Sequence, residues 1–302
     1  WSDALLEKCG LSRAAMPALV EGCEVSALLE PAVAQRWGLT PSDIVAGGGG
    51  DNAVSAIGVG AVSPGDAFIS LGTSGVLFVV TDAYRPAPQS AVHAFCHVLP
   101  NLWHQMSVML SAASCLQWFC RLVGVTELAL LEEIAQLSDA EKASAPMFLP
   151  YLSGERTPHN DPCARGMFWG LTHSSQRALM GYAVLEGVSF GIADGLRVLQ
   201  ESGTQIEQCS LVGGGARSPF WAQLLADILA MPVVTHKGGE TGGALGAARL
   251  ACLAAGKPRA SVCEKPEVYK TWRSDPARHR ALMTRYQQFN ALYQNDLNYR
   301  NP

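Results

Sequence analysis

Residues 175–202 carry two interleaved stripes. Leu185, Val188, Ile192, Leu196 and Leu199 recur at helical spacing, while Gly187, Gly191 and Gly195 sit four apart on another face. Glycine inside a helix costs roughly 1 kcal/mol relative to alanine. Three of them on one face therefore imply a neighbour that packs very close to it.

The surrounding chain says what that neighbour is made of. Residues 67–80 read as two β-rich runs joined by Gly-Thr-Ser-Gly, a hairpin with a polar tip. Residues 91–98 and 102–109 read as two more strands, and four in succession predict a meander. Helices are predicted over 114–123 and 127–137. Further on come a strand over 209–212, a glycine triplet, a helix over 219–229 and a strand over 232–235. Ser218 suits the cap of that helix and Pro219 its first position. An alanine-rich helix is predicted over 241–255, and a last one from Asp275-Pro276 with Leu282, Tyr286, Phe289 and Tyr293 as its stripe. Together these predict an α/β layered domain. Ahead of it, 17–38 reads as helix, 43–46 as a strand ending at four glycines, and 52–58 as a helix start. The turn at 63–66 divides the chain into domains 1–62 and 63–302.

Composition agrees with large buried cores: of 302 residues 48% are apolar and 16% charged. The net charge of -4, with Lys and Arg scattered, points to neither nucleic acid nor a membrane surface as partner. The apolar runs are too short or too broken to cross a bilayer. Nine cysteines, an odd number with no CxxC pair, read as reduced thiols of a cytoplasmic protein. The chain opens at Trp1 inside a helix, and reads as a piece of something longer.

Three places could carry chemistry. Gly72, Thr73 and Ser74 at the hairpin tip could cradle a phosphate with backbone N–H groups and two hydroxyls, or form an ordinary turn. Gly213, Gly214 and Gly215, between strand and capped helix, could seat an anion or a flat ligand, or form a tight βα turn. Asp51, with Asn52, stands at the carboxyl end of a strand, where open α/β sheets bind ligands. It could equally cap the next helix. His93, His97 and His104 cluster without an acid nearby and do not make a metal set.

The ordered motifs GGGDN, SLGTSG, FLPYLSGERTPH, RGxxxGLTH, LEGV, GGGARSxxW and GALGAARLA resemble the sugar kinases of the FGGY family, from about Trp1 to Ala255. That resemblance implies an actin-like, RNase H-like fold with ATP, and Mg²⁺, held between two domains. It implies that Asp51 is the catalytic base, with Asn52 beside it on the sugar. It assigns Gly72, Thr73 and Ser74 to the second phosphate loop, and Gly213, Gly214, Gly215 and Ser218 to the nucleotide. The segments around His93, Trp103 and Tyr151 point to D-xylulose as the sugar. Another ketose or polyol is the alternative, and an ATP-binding piece inactive alone is a third reading. A homodimer is compatible with the sequence. Two features depart from the family: Leu179 and Tyr182 replace a polar residue and an Arg, expected to alter only a helix surface, and the first phosphate loop and a Met-His segment are expected upstream of Trp1.

Overall fold

The structure, a computed structural model, describes residues 1–237 and 242–300. The glycine-bearing segment is one 25-residue helix, Arg177–Glu201. A Cβ on Gly187 would overlap the Phe148 carbonyl, and one on Gly195 the Ser107 side chain. One on Gly191 would lie 2.7 Å from Cε of Met109. The stripe thus lets the helix settle onto strands. By length and apolar content this helix could cross a membrane, but 89% of its most apolar window is buried inside the fold, as befits a core helix.

The chain begins with α1 (Asp3–Lys8), β1 (Val25–Leu28), α2 (Pro31–Trp37), β2 (Ile44–Ala46) and α3 (Asp51–Gly58). β1 and β2 pair antiparallel. The helix expected over 17–38 is therefore only its last third. Pro31 opens α2, the Glu30 carboxylate accepts from the Val33 N–H (3.2 Å), and Gly38 closes it at φ 67°. Proline at the first helical position blocks extension backwards, which frees Val25–Leu28 to pair as a strand.

Next come β3 (Ala67–Leu71), β4 (Gly75–Thr81), β5 (His93–Cys96), β6 (Trp103–Met109), α4 (Ala113–Val123), α5 (Glu127–Gln136) and α6 (Asp139–Ala143). A small ladder of β7 (Met147–Leu149) and β8 (Met167–Trp169) precedes the long helix, α7. Then follow β9 (Cys209–Val212), α8 (Pro219–Leu229), β10 (Val233–His236), α9 (Gly242–Ala254), α10 (Arg259–Val262), β11 (Val268–Trp272) and α11 (Pro276–Arg300). Thr241, the expected first residue of α9, lies outside the described residues.

Seven strands form one sheet in the order β11-β10-β9-β3-β4-β6-β5. β9 runs parallel to β3 and to β10, and the other neighbours are antiparallel. The hairpin of β3 and β4 is as expected, but the meander is not. β6 returns between β4 and β5, so β5 becomes the edge. Residues 104–107 of β6 are buried whereas Phe95 and Cys96 of β5 are exposed, so the more buried strand holds the inner place.

Alternate side chains divide the sheet's faces. Ile69, Leu71, Leu77 and Val79 face the main core with α4, α7 and α8. Phe68, Val76, Phe78, Val80 and Val212 face Ala56 and Val59 at the end of α3. α3 also crosses α9 at glycines: a Cβ on Gly58 would overlap the Gly242 carbonyl, and one on Gly246 the Val54 carbonyl. Arg249 closes the crossing by donating to the carbonyls of Ile57 (2.8 Å) and Gly58 (3.0 Å), a cation at a helix C-terminus.

Tyr182 corrects one expectation. It does not decorate a helix surface: it is 3% exposed and donates to Glu186 (3.2 Å). Leu179 packs, partly buried, against the main core.

Candidate active site

Because β3 and β9 are parallel neighbours, with Ser70 opposite Val212, the turns that follow them leave the same end of the sheet's strands. Leu71 ties the two together. Gly213 sits at φ 86°, and a Cβ there would lie 2.7 Å from the Leu71 carbonyl; one on Gly215 would lie 2.7 Å from Leu71 Cβ. Gly214 alone of the triplet would have nothing within 4 Å of a Cβ and so presents bare backbone to open space. The triplet leads through a short 3-10 turn, Gly214–Arg217, into α8. Ser218 is buried, and its Oγ accepts from the Trp221 N–H (3.2 Å), so this hydroxyl caps α8.

The hairpin tip turns its carbonyls inward. Ala112 N–H donates to the Thr73 carbonyl (3.0 Å), Ala113 N–H to that of Gly72 (2.9 Å), and Ser114 Oγ again to Thr73 (2.7 Å). Among the described residues neither the Thr73 nor the Ser74 N–H has an acceptor. The tip thus keeps two amide donors free while its carbonyls are anchored, the kind of backbone that can receive an anion. Its clamp, 112–114, was missed in the sequence. The only signal there is a helix start directly after a strand.

Asp51 is the first residue of α3, with Gly50 as the cap position. Its Oδ1 accepts from the Asn52 N–H (2.8 Å) and Nδ2 (3.3 Å), and the carboxylate is exposed. The glycines before it serve mainly their own packing. A Cβ on Gly47 would overlap the Glu21 carbonyl and one on Gly49 the Val98 side chain, and Gly48 has φ 73°. Only Gly50 faces open space without such a demand. Asp51 and Asn52 border an open cleft of about 770 Å³ that Phe95, His97 and His104 also line. No hydrogen bond among the described residues joins Asp51 to either turn. α3 relates to them through the sheet, since Ala56 packs in one cluster with Phe68, Val76 and Val212, which lie on the strands that bear the turns. A larger hollow, about 930 Å³, opens at the other end of β3, and four of its lining charges pair: Lys265 with Asp66 (2.6 Å) and Arg85 with Asp82 (2.9 Å).

Burial is what marks the two histidines. His97 Nδ1 accepts from the Leu99 N–H (3.1 Å), and the His104 ring stacks on Phe78 at 4.5 Å. His97 Nε2 and His104 Nδ1 are buried without partners among the described residues. Burial, then mutual proximity to other histidines, lowers both to about 4. An unfolded chain protonates them below about 6.5, so their contribution to stability is full above that pH and is lost as pH falls towards 4. One such group removes about 2 kcal/mol by pH 5. The melting temperature of His104→Phe should therefore fall less between pH 7 and pH 5 than that of the wild type. Equal falls in the two proteins would refute the assignment.

Comparison with known proteins places the chain among carbohydrate kinases. The family model for the FGGY family of carbohydrate kinases, C-terminal domain, matches residues 67–255, and that for the N-terminal domain matches residues 1–58. The chain is 48% identical to the xylulose kinase of Escherichia coli (strain K12) over 97% of its length and 61% of the relative's. It is 52% identical to the xylulose kinase of Klebsiella pneumoniae over 84% of its length and 52% of the relative's. A crystal structure of a xyloylose kinase from Brucella ovis superposes with TM-score 0.92 at 49% identity, covering 98% of this chain and 61% of that one. A gluconate kinase from Lactobacillus acidophilus, 24% identical, shares the fold at TM-score 0.86 over 99% of this chain and 60% of its own. The chain thus spans between about half and three fifths of the curated relatives named here.

Proposed function

The chain belongs to the FGGY family of carbohydrate kinases, and on that premise we propose that the whole protein transfers the γ-phosphoryl group of ATP to D-xylulose, giving D-xylulose 5-phosphate. The observation that carries this reading is the pair of glycine turns at the same end of neighbouring strands, one with free N–H groups and one with bare backbone at Gly214. The sugar rests on the named xylulose kinases at 48% and 52% identity.

Bound Mg-ATP supplies the phosphoryl group. Thr73 and Ser74 offer their N–H groups and hydroxyls to its phosphates, with Gly72 allowing close approach. Gly213 and Gly215 shape the second turn so that Gly214 meets the adenosine, and Ser218 holds the turn by capping α8. Asp51 orients the sugar hydroxyl and takes its proton, while Asn52 binds the sugar beside it. The described residues hold no cluster of three or more metal-ligating side chains. Mg²⁺ commonly needs only one or two carboxylates beside phosphate oxygens and water. In this reading residues 1–62 belong to the sugar side and 63–302 to the nucleotide side. The nine free cysteines support a cytoplasmic setting.

The shared fold of the gluconate kinase keeps a second sugar in play. An ATP-consumption screen of the whole protein against xylulose, ribulose, gluconate, glycerol and fuculose tests both. The highest kcat/KM is expected for xylulose. A preference for another sugar overturns the substrate, and no consumption with any of them overturns the kinase. Gly214→Val fills the open face of the second turn, and ATP affinity should drop on the order of tenfold or more, about 1.4 kcal/mol per decade. Sugar affinity should hold. Calorimetric titration separates the two, and unchanged ATP binding by a folded variant moves the adenosine site elsewhere.

A further inference from the structure

We propose that Glu155 is a positioning residue for the turn at Gly72, Thr73 and Ser74, acting through residues 110–114. The link starts at the free edge of β6. β5 covers that edge only as far as Met106, which faces His93. Beyond it, residues 155–157 take over. Val108 N–H donates to Thr157 Oγ1 (3.0 Å), Thr157 N–H donates to the Val108 carbonyl (3.0 Å), and Leu110 N–H donates to Glu155 Oε1 (2.9 Å).

The Glu155 bond fixes the chain two residues before the clamp on the turn. Ala112 and Ala113 follow, and their N–H groups hold the carbonyls of Thr73 and Gly72. With those carbonyls held inward, the N–H groups of Thr73 and Ser74 stay turned outward. Released, the tip could rotate and present its oxygens to an anion instead.

An edge-filling role alone does not account for a carboxylate here. Glu155 is 3% exposed, its Oε1 also accepts from the Arg156 N–H (2.7 Å), and Oε2 has no partner among the described residues. A buried carboxyl with one idle oxygen is costly. Burial pushes it up to about 7, against the pull of the Leu110 and Arg156 amides. Its other oxygen holds two amides: that of the adjacent Arg156 and, across the fold, that of Leu110 ahead of the clamp.

The ligand rests on the kinase reading; the geometry does not. Two measurements on this chain separate them. Amide exchange at Ala112 and Ala113 needs no ligand: Glu155→Ala should raise it at least tenfold relative to wild type, about one decade in the local opening equilibrium. Unchanged exchange overturns the proposal. Mg-ADP titration comes next: Glu155→Ala should bind at least tenfold more weakly, whereas Glu155→Gln, which keeps an acceptor for Leu110, should stay within about threefold of wild type. Equal binding by folded Glu155→Ala overturns the proposal, and so does an equal loss in both variants. A wild-type chain that binds no Mg-ADP while Glu155→Ala still exchanges faster supports the positioning role and overturns the nucleotide reading.

Discussion

Asp51→Asn in the whole protein should lower kcat by about 10²–10⁴-fold, the usual contribution of a positioned general base. Asparagine keeps the size and the oxygen that accepts from the Asn52 N–H, but it cannot take a proton. KM for ATP should hold steady, because the carboxylate borders the cleft walled by Phe95, His97 and His104 and has no hydrogen bond to either turn. Slow ATP hydrolysis without sugar should fall too, since the same group would orient water. The rival reading, a helix cap, predicts otherwise. Gly50 holds the cap position, so Asp51 contributes to α3 only as a first-turn acid, typically 0.3–1 kcal/mol. Measuring kcat and melting temperature on one preparation decides. A folded variant within about threefold of wild-type kcat, far short of that range, would sink the catalytic role.

Arg285→Leu should cost about 3–5 kcal/mol of stability, as is usual when one partner of a buried ion pair is removed. Glu186, in the middle of α7, is 1% exposed. Arg285 on α11 meets it with Nε at 2.7 Å and Nη2 at 2.6 Å, and also donates to the Ala145 carbonyl (3.0 Å). Burial pushes the Glu186 carboxyl up and the guanidinium pulls it down. Without Arg285 the burial effect is unopposed, and α7 must carry either a bare charge or a protonated acid. The melting temperature should drop on the order of 10 °C. Lysine should rescue little, since one ammonium cannot reproduce the paired bonds. A double variant, Arg285→Leu with Glu186→Leu, should recover much of the loss. A single variant within about 1 kcal/mol of wild type would show that the pair is no more than a surface-strength contact.

Much of the scaffold was legible because it is local. The glycine stripe of α7, the tight hairpin at Gly72, and the Ser218-Pro219 helix start each declare themselves within a few residues. The order of β5 and β6 does not. Both read as strands, and which one reaches β4 depends on burial against α3 and α7, not on either segment's own pattern. The helix over 17–38 failed for a related reason: β1 exists through its pairing with β2, some twenty residues away. The four glycines before Asp51 show no use in the sequence itself, and three of them serve close packing or a positive φ. Glu186 and Tyr182 were equally hidden, because Arg285 lies 99 residues from Glu186.

The crossing of α3 and α9 has a mechanical consequence. Helices that meet main chain to main chain, at Gly58 with Gly242 and at Gly246 with Val54, have no side-chain ridges there to slip past one another. Sliding along either axis would drive a larger residue into a neighbour's carbonyl. Two such contacts about one turn apart, with Arg249 bridging to the end of α3, hold the helices against both sliding and turning. Asp51 is three residues from Val54, a lever of about 4.5 Å at 1.5 Å rise per residue. An error of about 10° in the crossing angle would shift its backbone by less than about 1 Å on that lever. The place of the carboxylate on the cleft is thus set by main-chain contact a few ångströms away, not by adjustable side chains.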